Sequence, residues 1–395
     1  MGRTPHIWVI GFLSVFFIAS CIFPDEPGSN TKDSDTKFLL LNYSDNNKLE
    51  TGAYISLLEI KKGEPEVTPL DEIYPSGSLS ANVDIVNNRV VMGLHSNFNT
   101  DGLSRRSVGI WFDMLSTTWE ELPILPSGSE NRYSYFDVST GKVSESGHIF
   151  YLSGSNDKNY NDQYRASLVR YNPKTDVLET ATHPEGFVLA QPEKGGDTET
   201  GQFKRDFYPS LDGRYVYGVI EAFGVSGGSY HWDYEILFQY DFQKNEYTRL
   251  GDSNDKHVTL IGITSDRSLM LYSSKVAGSY KTRTVNTISN TVSDISITGG
   301  QNRTNTSRWN SSGYCSGESN RTIGVYNVLS NSKHDIKTPA DPYYSQYSPN
   351  GESIYFMLFS KTGNYLCKTS DLTATATIDT VCGLSTLVHE FLVIK

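Results

Sequence analysis

The sequence predicts an all-β domain, a β-propeller of seven four-stranded blades, and three observations carry that prediction. The composition is rich in Tyr (25), Phe (18) and Gly (33), and no window shows sustained apolar spacing of helical period. The apolar runs are short, β-branched or aromatic, and bounded by Gly, Asn, Asp and Ser, as strands are. A unit also recurs at roughly 35 to 48 residues: a small or polar strand, a turn, a strongly apolar strand, a loop, a third strand and a short fourth one.

The chain divides into three parts. Arg3 and His6 precede an apolar run from Ile7 to Ile18, then Ala19-Ser20 and Cys21. A basic start, an apolar stretch and small residues at a cleavage point describe a signal peptide over residues 1–20. The run is shorter than the roughly 20 residues a bilayer-spanning helix needs. Ile18-Ala19-Ser20-Cys21 resembles the bacterial lipobox. That resemblance implies lipidation of the Cys21 thiol and a membrane partner, since two or more acyl chains anchor a protein stably. Residues 21–36 read as a flexible tether, polar and broken by Pro and Gly. Asp25 and Glu26 resemble the acidic export tag of surface lipoproteins in Bacteroidetes, and a plain soluble linker is the alternative. The expected location is the cell envelope, at the outer membrane.

Residues 37–395 form the propeller domain. Blades are expected near 78–123, 133–181, 206–250, 257–297, 306–338 and 343–381. The stretch before them holds only three strands, Lys37–Tyr43, Ala53–Ile60 and Glu66–Leu70, and Leu387–Ile394 is left over at the end. Joining the spare strand to the first three makes a seventh blade and removes an open edge, with six or eight blades as the alternatives. The first turn of the repeat is clearest in Ser210-Leu211-Asp212-Gly213-Arg214-Tyr215 and Ser348-Pro349-Asn350-Gly351-Glu352-Ser353. Weaker copies are Thr264–Leu269 and Ser144–Phe150. Asp-Gly and Asn-Gly signal tight hairpins in which both central residues take positive φ. These turns resemble the Tol-system and related WD-like propeller repeats, which implies a fold and leaves function open.

Charge and chemistry narrow the function. Removing Arg3 with residues 1–20 takes the net charge from −11 to −12, which disfavours nucleic acid and anionic lipid as partners. No His-Glu-x-x-His or Cys-x-x-Cys occurs, so spacing names no metal and no cofactor is expected. Gly313-Tyr314-Cys315-Ser316-Gly317 has the spacing of a nucleophile elbow, but that motif needs a strand-to-helix turn. Cys367 and Cys382 flank one hairpin region and are the candidate disulfide pair, with buried free thiols as the alternative.

In a propeller the segment entering each blade and the loop between its second and third strands open on one funnel face. The residues expected there are Arg105, Arg106, Arg132, Tyr135, Tyr164, Arg165 and Arg205, together with Tyr208, His231, Trp232, His257, Arg308, Trp309 and Tyr344. Arg forks suit carboxylates and phosphates, and aromatic faces stack on sugars or aryl groups. The sequence therefore points to a binder of a glycan, anionic small molecule, peptide or partner protein. Two alternatives stay open: a polysaccharide lyase acting on uronate-containing glycans, for which His95, His148 and His231 supply the residue type, or an assembly scaffold without a small ligand.

Overall fold

The computed structural model describes residues 37–43, 53–61, 64–74, 77–86, 89–96, 106–125, 132–136, 140–157, 165–184, 200–226, 229–295, 314–319, 321–327, 332–348, 352–360, 363–370, 372, 376–384 and 388–394. The signal peptide, Cys21 and the tether lie outside these residues.

Among the described residues the strands form seven antiparallel sheets, six of them from chain-adjacent strands alone. Sheet 1 is β1 (Lys37–Tyr43), β2 (Ala53–Lys61) and β3 (Glu64–Tyr74), with β28 (Val388–Ile394) on the free side of β1. Sheet 2 is β4 (Gly77–Val86), β5 (Arg89–Ser96), β6 (Arg106–Asp113) and β7 (Thr118–Glu121). Sheet 3 holds β8 (Arg132–Phe136), β9 (Lys142–Val143), β10 (Ile149–Asp157), β11 (Arg165–Asn172) and β12 (Val177–Thr180). Both β8 and β9 pair with β10, so they are two pieces of one first strand. Sheet 4 is β13 (Thr200–Pro209), β14 (Tyr215–Ser226), β15 (Ser229–Asp241) and β16 (Glu246–Arg249). Sheet 5 is β17 (Lys256–Ile263), β18 (Leu269–Val276), β19 (Ser279–Asn286) and β20 (Val292–Ile295). Sheet 6 shows β21 (Tyr314–Ser319), β22 (Thr322–Asn327) and β23 (Ser332–Lys337). Sheet 7 is β24 (Pro342–Tyr347), β25 (Ile354–Ser360), β26 (Gly363–Thr369) and β27 (Asp379–Leu384).

Strand alternation explains the core. Successive residues point to opposite faces, so a strand apolar at every position buries both. Phe238 and Tyr240 pack toward sheet 3, with Phe150, Leu152 and Leu168. Leu237 packs toward sheet 5, with Val258, Ile263, Met270 and Tyr272. The same face-to-face packing joins sheet 2 to sheet 3 around Val91 and Tyr151, and sheet 6 to sheet 7 around Ile323 and Phe356. Phe38, Leu40 and Leu58 of sheet 1 pack with Tyr355 and Met357 of sheet 7 and with Phe391 and Val393 of β28.

Cys367 and Cys382 are buried free thiols, so of the two sequence alternatives the structure holds the thiols and not the disulfide. The sheet explains why. Cys382 pairs with Leu366 and joins the core toward sheet 1, whereas Cys367 joins the core toward sheet 6. A disulfide needs two Cβ atoms facing each other at about 3.5–4.5 Å. Burial pushes both thiols up, to about 12.

The turns are closed by side chains. Ser210 N–H donates to Tyr215 O at 2.8 Å, and Tyr215 N–H donates to Ser210 Oγ at 2.8 Å. Thr264 with Leu269, Ser348 with Ser353 and Ser144 with His148 repeat the arrangement. Only the last turn position has positive φ: Gly213 at 73°, Arg267 at 64° and Gly147 at 86°. This corrects the two-residue hairpin expected at Asp212-Gly213. Asp212 instead accepts from the Ser210 hydroxyl at 2.5 Å, and the turn is lengthened by that side chain.

A second turn repeats at the base of the third and fourth strands. Asp113, Asn172, Asp241 and Asn286 each accept backbone N–H bonds from residues two or three further on. Thr117, Asp176, Asn245 and Asn290 then take the left-handed position, at φ 53°, 53°, 59° and 54°. Asp241 also holds Arg214 in a fork, with Nη2 to Oδ2 at 2.6 Å. That guanidinium lowers the Asp241 carboxyl below its ordinary value.

Gly213 is a close junction between sheets 3 and 4. A Cβ there would lie 2.6 Å from Ser146 Oγ and 2.9 Å from His148 Nδ1 on sheet 3's turn. Gly213→Ala is expected to destabilise by more than about 1 kcal/mol in chemical denaturation, because the positive φ and the clash add. Adding Ser146→Gly should restore only the part of the clash that Ser146 Oγ makes, since His148 Nδ1 at 2.9 Å stays in place. An unchanged denaturation midpoint in Gly213→Ala would contradict the close packing.

Candidate functional site

The start of a sheet's first strand, the end of its second and the start of its third share one end of the sheet. Arg106 pairs with Ser96 there in sheet 2, and Arg132 and Arg165 pair with Asp157 and Ser155 in sheet 3. In sheet 7, Tyr344 falls near the start of β24, in the irregularity between Tyr343 and Gln346. Arg205 and His257 occupy irregularities in β13 and β17, and Arg205 is exposed. Tyr135 pairs with Gly154, lower in sheet 3. Arg105, Tyr164, Arg308 and Trp309 lie outside the described residues.

The expectation for Tyr208 is corrected. Tyr208 sits near the other end of β13, paired with Tyr217, and is buried among Leu260 and Ile263 between sheets 4 and 5. Lys142 and Arg267 lie over its ring, each 5.7 Å from the centroid. His148 lies in the first turn of sheet 3, within the repeat copy Ser144–Phe150, with its Nδ1 bonded to Ser146 Oγ at 2.8 Å. Burial lowers its pKa, with the Arg170 charge acting in the same direction, so it belongs to the sheet 3–sheet 4 junction. The elbow-like Tyr314-Cys315-Ser316-Gly317 runs along β21, where Cys315 pairs with Tyr326, and turns into no helix.

His231 and Trp232 were expected on a long loop. They instead lie on β15, paired with Gly224 and Phe223, in a hairpin whose strands end at Ser226 and resume at Ser229. A Gly-Gly dipeptide between apolar runs is a tight-turn signal, and Gly227-Gly228 supplies it. β14 and β15 have 12 and 13 residues, against 8 in β18 and β19. At about 3.3 Å per residue, sheet 4 therefore rises about 13 Å beyond its neighbour.

At the foot of this rise three side chains from two sheets meet. Glu235 on β15 is 4% exposed and accepts from Lys204 Nζ of β13 through Oε1 at 3.0 Å. His257 of β17 places Nδ1 3.6 Å from Glu235 Oε2. That oxygen is buried and has no hydrogen-bond partner. Glu221 stands directly opposite Glu235, and Gln202 opposite Glu221, so the carboxylates share a face. Like charges so placed repel, and the Lys204 ammonium offsets this. His257 is held at φ 50°, in the left-handed region that non-glycine residues rarely adopt. The sequence located His257 and the end of the sheet, but not Glu235, which lies beyond the supposed loop.

Next to it lies a second polar cluster. Asp255, 3% exposed, accepts from Tyr272 OH at 2.7 Å, Ser274 Oγ at 2.8 Å and Arg283 Nη1 at 2.6 Å. Arg283 Nε continues to Asp294 at 2.7 Å. Every buried lone pair here has a donor, so the cluster fastens the sheet 4-to-sheet 5 connection. No group of three His, Cys, Asp or Glu among the described residues is placed to hold a metal ion.

No protein family matches the sequence, and no curated protein does. Solved structures do resemble the fold. A prolyl endopeptidase is matched at TM-score 0.50 and 13% identity over 87% of this chain and 48% of that one. Dipeptidyl peptidase 4 of Porphyromonas gingivalis is matched at 0.49 and 10%, over 91% of this chain and 54% of that one. TolB of Acinetobacter baumannii is matched at 0.40 and 11%, over 90% and 65%. The chain thus spans less than two thirds of each of these proteins, and at such identity the likeness is one of fold alone. Antiparallel sheets built mainly from chain-adjacent strands, with sheets 2 to 5 packed face to face in sequence order, define a β-propeller.

Proposed function

We propose that this chain is an envelope lipoprotein, anchored through Cys21, whose seven sheets form a ring closed by β28 and bind a ligand at one mouth. The observation that carries the ligand reading is the meeting of Lys204, Glu235 and His257 at the open end of sheets 4 and 5. Conserving a packed edge needs no buried carboxylate oxygen without a donor, since such a group costs about 1–3 kcal/mol. Sheet 1's packing on sheet 7 and its pairing with β28 support the ring, which would bring Arg106, Arg205 and Arg308 to the same mouth.

Two experiments test the reading. In a Gram-negative host the full chain should partition with membranes and Cys21→Ser should not. A Cys21→Ser protein retained by salt-washed membranes would remove the lipid anchor. For the mouth, full-length protein in detergent is screened against neutral and acidic oligosaccharides, carboxylate chelators and peptides. Arg205→Glu is expected to change the affinity of any true ligand at least several-fold and leave the melting temperature nearly unchanged, because exposed charges contribute about 0–1 kcal/mol. A ligand indifferent to Arg205→Glu binds elsewhere.

A further inference from the structure

We infer that Glu235 is the docking point for adjacent hydroxyls of a neutral sugar, with His257 as its movable cover. The inference rests on the mouth being the binding face and names the chemistry of that site. The Glu235 carboxylate is an acceptor with one oxygen engaged by Lys204 and the other, Oε2, buried without a donor. His257 Nδ1, likewise buried without a hydrogen-bond partner, pairs with it only at 3.6 Å and only when protonated, so an incoming O–H or N–H group can complete it at hydrogen-bond distance.

Charge decides among donors. An anion would face Oε2 directly and be repelled. A cation would meet Lys204, already 3.0 Å from Oε1, and the exposed Arg205 beside it. A neutral hydroxyl meets neither objection. It donates to Oε2, and its neighbour on the sugar ring accepts from an N–H of the Lys204 ammonium, which has three donors. An acceptor and a donor side by side suit a vicinal diol. This reverses the emphasis of the sequence, in which basic residues pointed to an anion, because Lys204 is committed to Glu235.

Access explains His257. Oε2 is covered, with the imidazole Nδ1 at 3.6 Å, yet the Lys204 and His257 side chains are 31% and 26% exposed, so the groups that flank it reach solvent. His257 is also held in the left-handed backbone region, a costly conformation that collects at sites of function. A ring that swings aside uncovers the carboxylate and leaves the strand pairing on either side in place.

The test uses full-length protein in detergent on an array carrying neutral oligosaccharides and glucuronate- or galacturonate-containing ones, followed by calorimetric titration with the strongest neutral glycan. Glu235→Gln, which puts an amide donor where an acceptor was, should weaken that glycan at least tenfold. Lys204→Gln should weaken it as well, and serves alone if Glu235→Gln fails to fold. His257→Gly relieves the backbone and removes the cover, so affinity should rise several-fold. A fall in affinity in His257→Gly would make the imidazole a contact and overturn the cover. Neutral-glycan binding unchanged by Glu235→Gln, or an array that binds only uronates, overturns the docking point. The mouth itself is judged separately: a ligand of any class sensitive to Arg205→Glu keeps the mouth even when Glu235→Gln is silent, and insensitivity to both removes mouth and docking point together.

Discussion

Deleting Val388–Lys395 should abolish cooperative unfolding rather than lower the melting temperature by a few degrees. β28 pairs with β1 from Lys37 to Asn42, and Phe391 and Val393 are 0% and 4% exposed. Losing two such side chains costs about 3–6 kcal/mol at about 1.5–3 kcal/mol each. The deletion also uncovers Phe38, whose ring stands edge-on to Tyr355 and Phe391 at 5.0 and 6.4 Å. Gln346 of sheet 7 loses two partners, since its Nε2 donates to Phe391 O at 2.6 Å and its Oε1 accepts from Val393 N–H at 3.3 Å. Against a typical total of about 5–15 kcal/mol this is most of the stability, and β1 becomes an open edge prone to pairing between molecules. Gel filtration should show aggregates and calorimetry a broad or absent transition. A monomeric truncation with the parent's melting temperature would show that β28 closes nothing.

Asp255→Ala should be the most damaging single substitution of a charged residue in sheet 5, at about 3–5 kcal/mol. It strips one acceptor from Tyr272, Ser274 and Arg283 at once and leaves the Tyr272 and Ser274 hydroxyls buried without it. Asp294→Ala is the control. Asp294 bonds the same Arg283 and also Lys281, but its side chain is 50% exposed. It should cost no more than about 1 kcal/mol. Urea titrations of the two variants decide the matter, and equal midpoints would mean that burial does not set the energy of this network.

The fold was legible because its signals are local. Strand period, Gly- and Asp-rich turns and the repeat itself put β1 at Lys37–Tyr43 and β28 within a residue of its observed start. A second local repeat was there to be read: an Asp or Asn, three residues, then Thr, Asp or Asn, at 113, 172, 241 and 286. Gly227-Gly228 is another, a tight-turn signal inside a segment whose length alone reads as a loop. The site was legible only as a set of sheet ends. Whether Tyr208 faces a mouth or a core depends on which end of β13 it occupies. Glu235 gains its meaning from Lys204 and His257, 31 residues before it and 22 after, and nothing within a single strand shows that pairing.

The side-chain-closed turns at the base have a consequence for how this molecule can change. In sheets 3, 4 and 5 those turns hold their length to within a residue or so, because a Ser, Thr, Asp or Asn side chain must span each one. At the opposite end the joins between second and third strands differ freely, from two residues in sheets 4 and 5 to seven in sheet 3 and nine in sheet 2. Closing a longer loop costs only about 0.6 kcal/mol per doubling. New segments can therefore be grafted on that side with little penalty, while the base behaves as a fixed hub. Relatives that diverge in what they recognise would be expected to differ at the upper joins and to keep the lower ones, and a library built by insertion belongs there too.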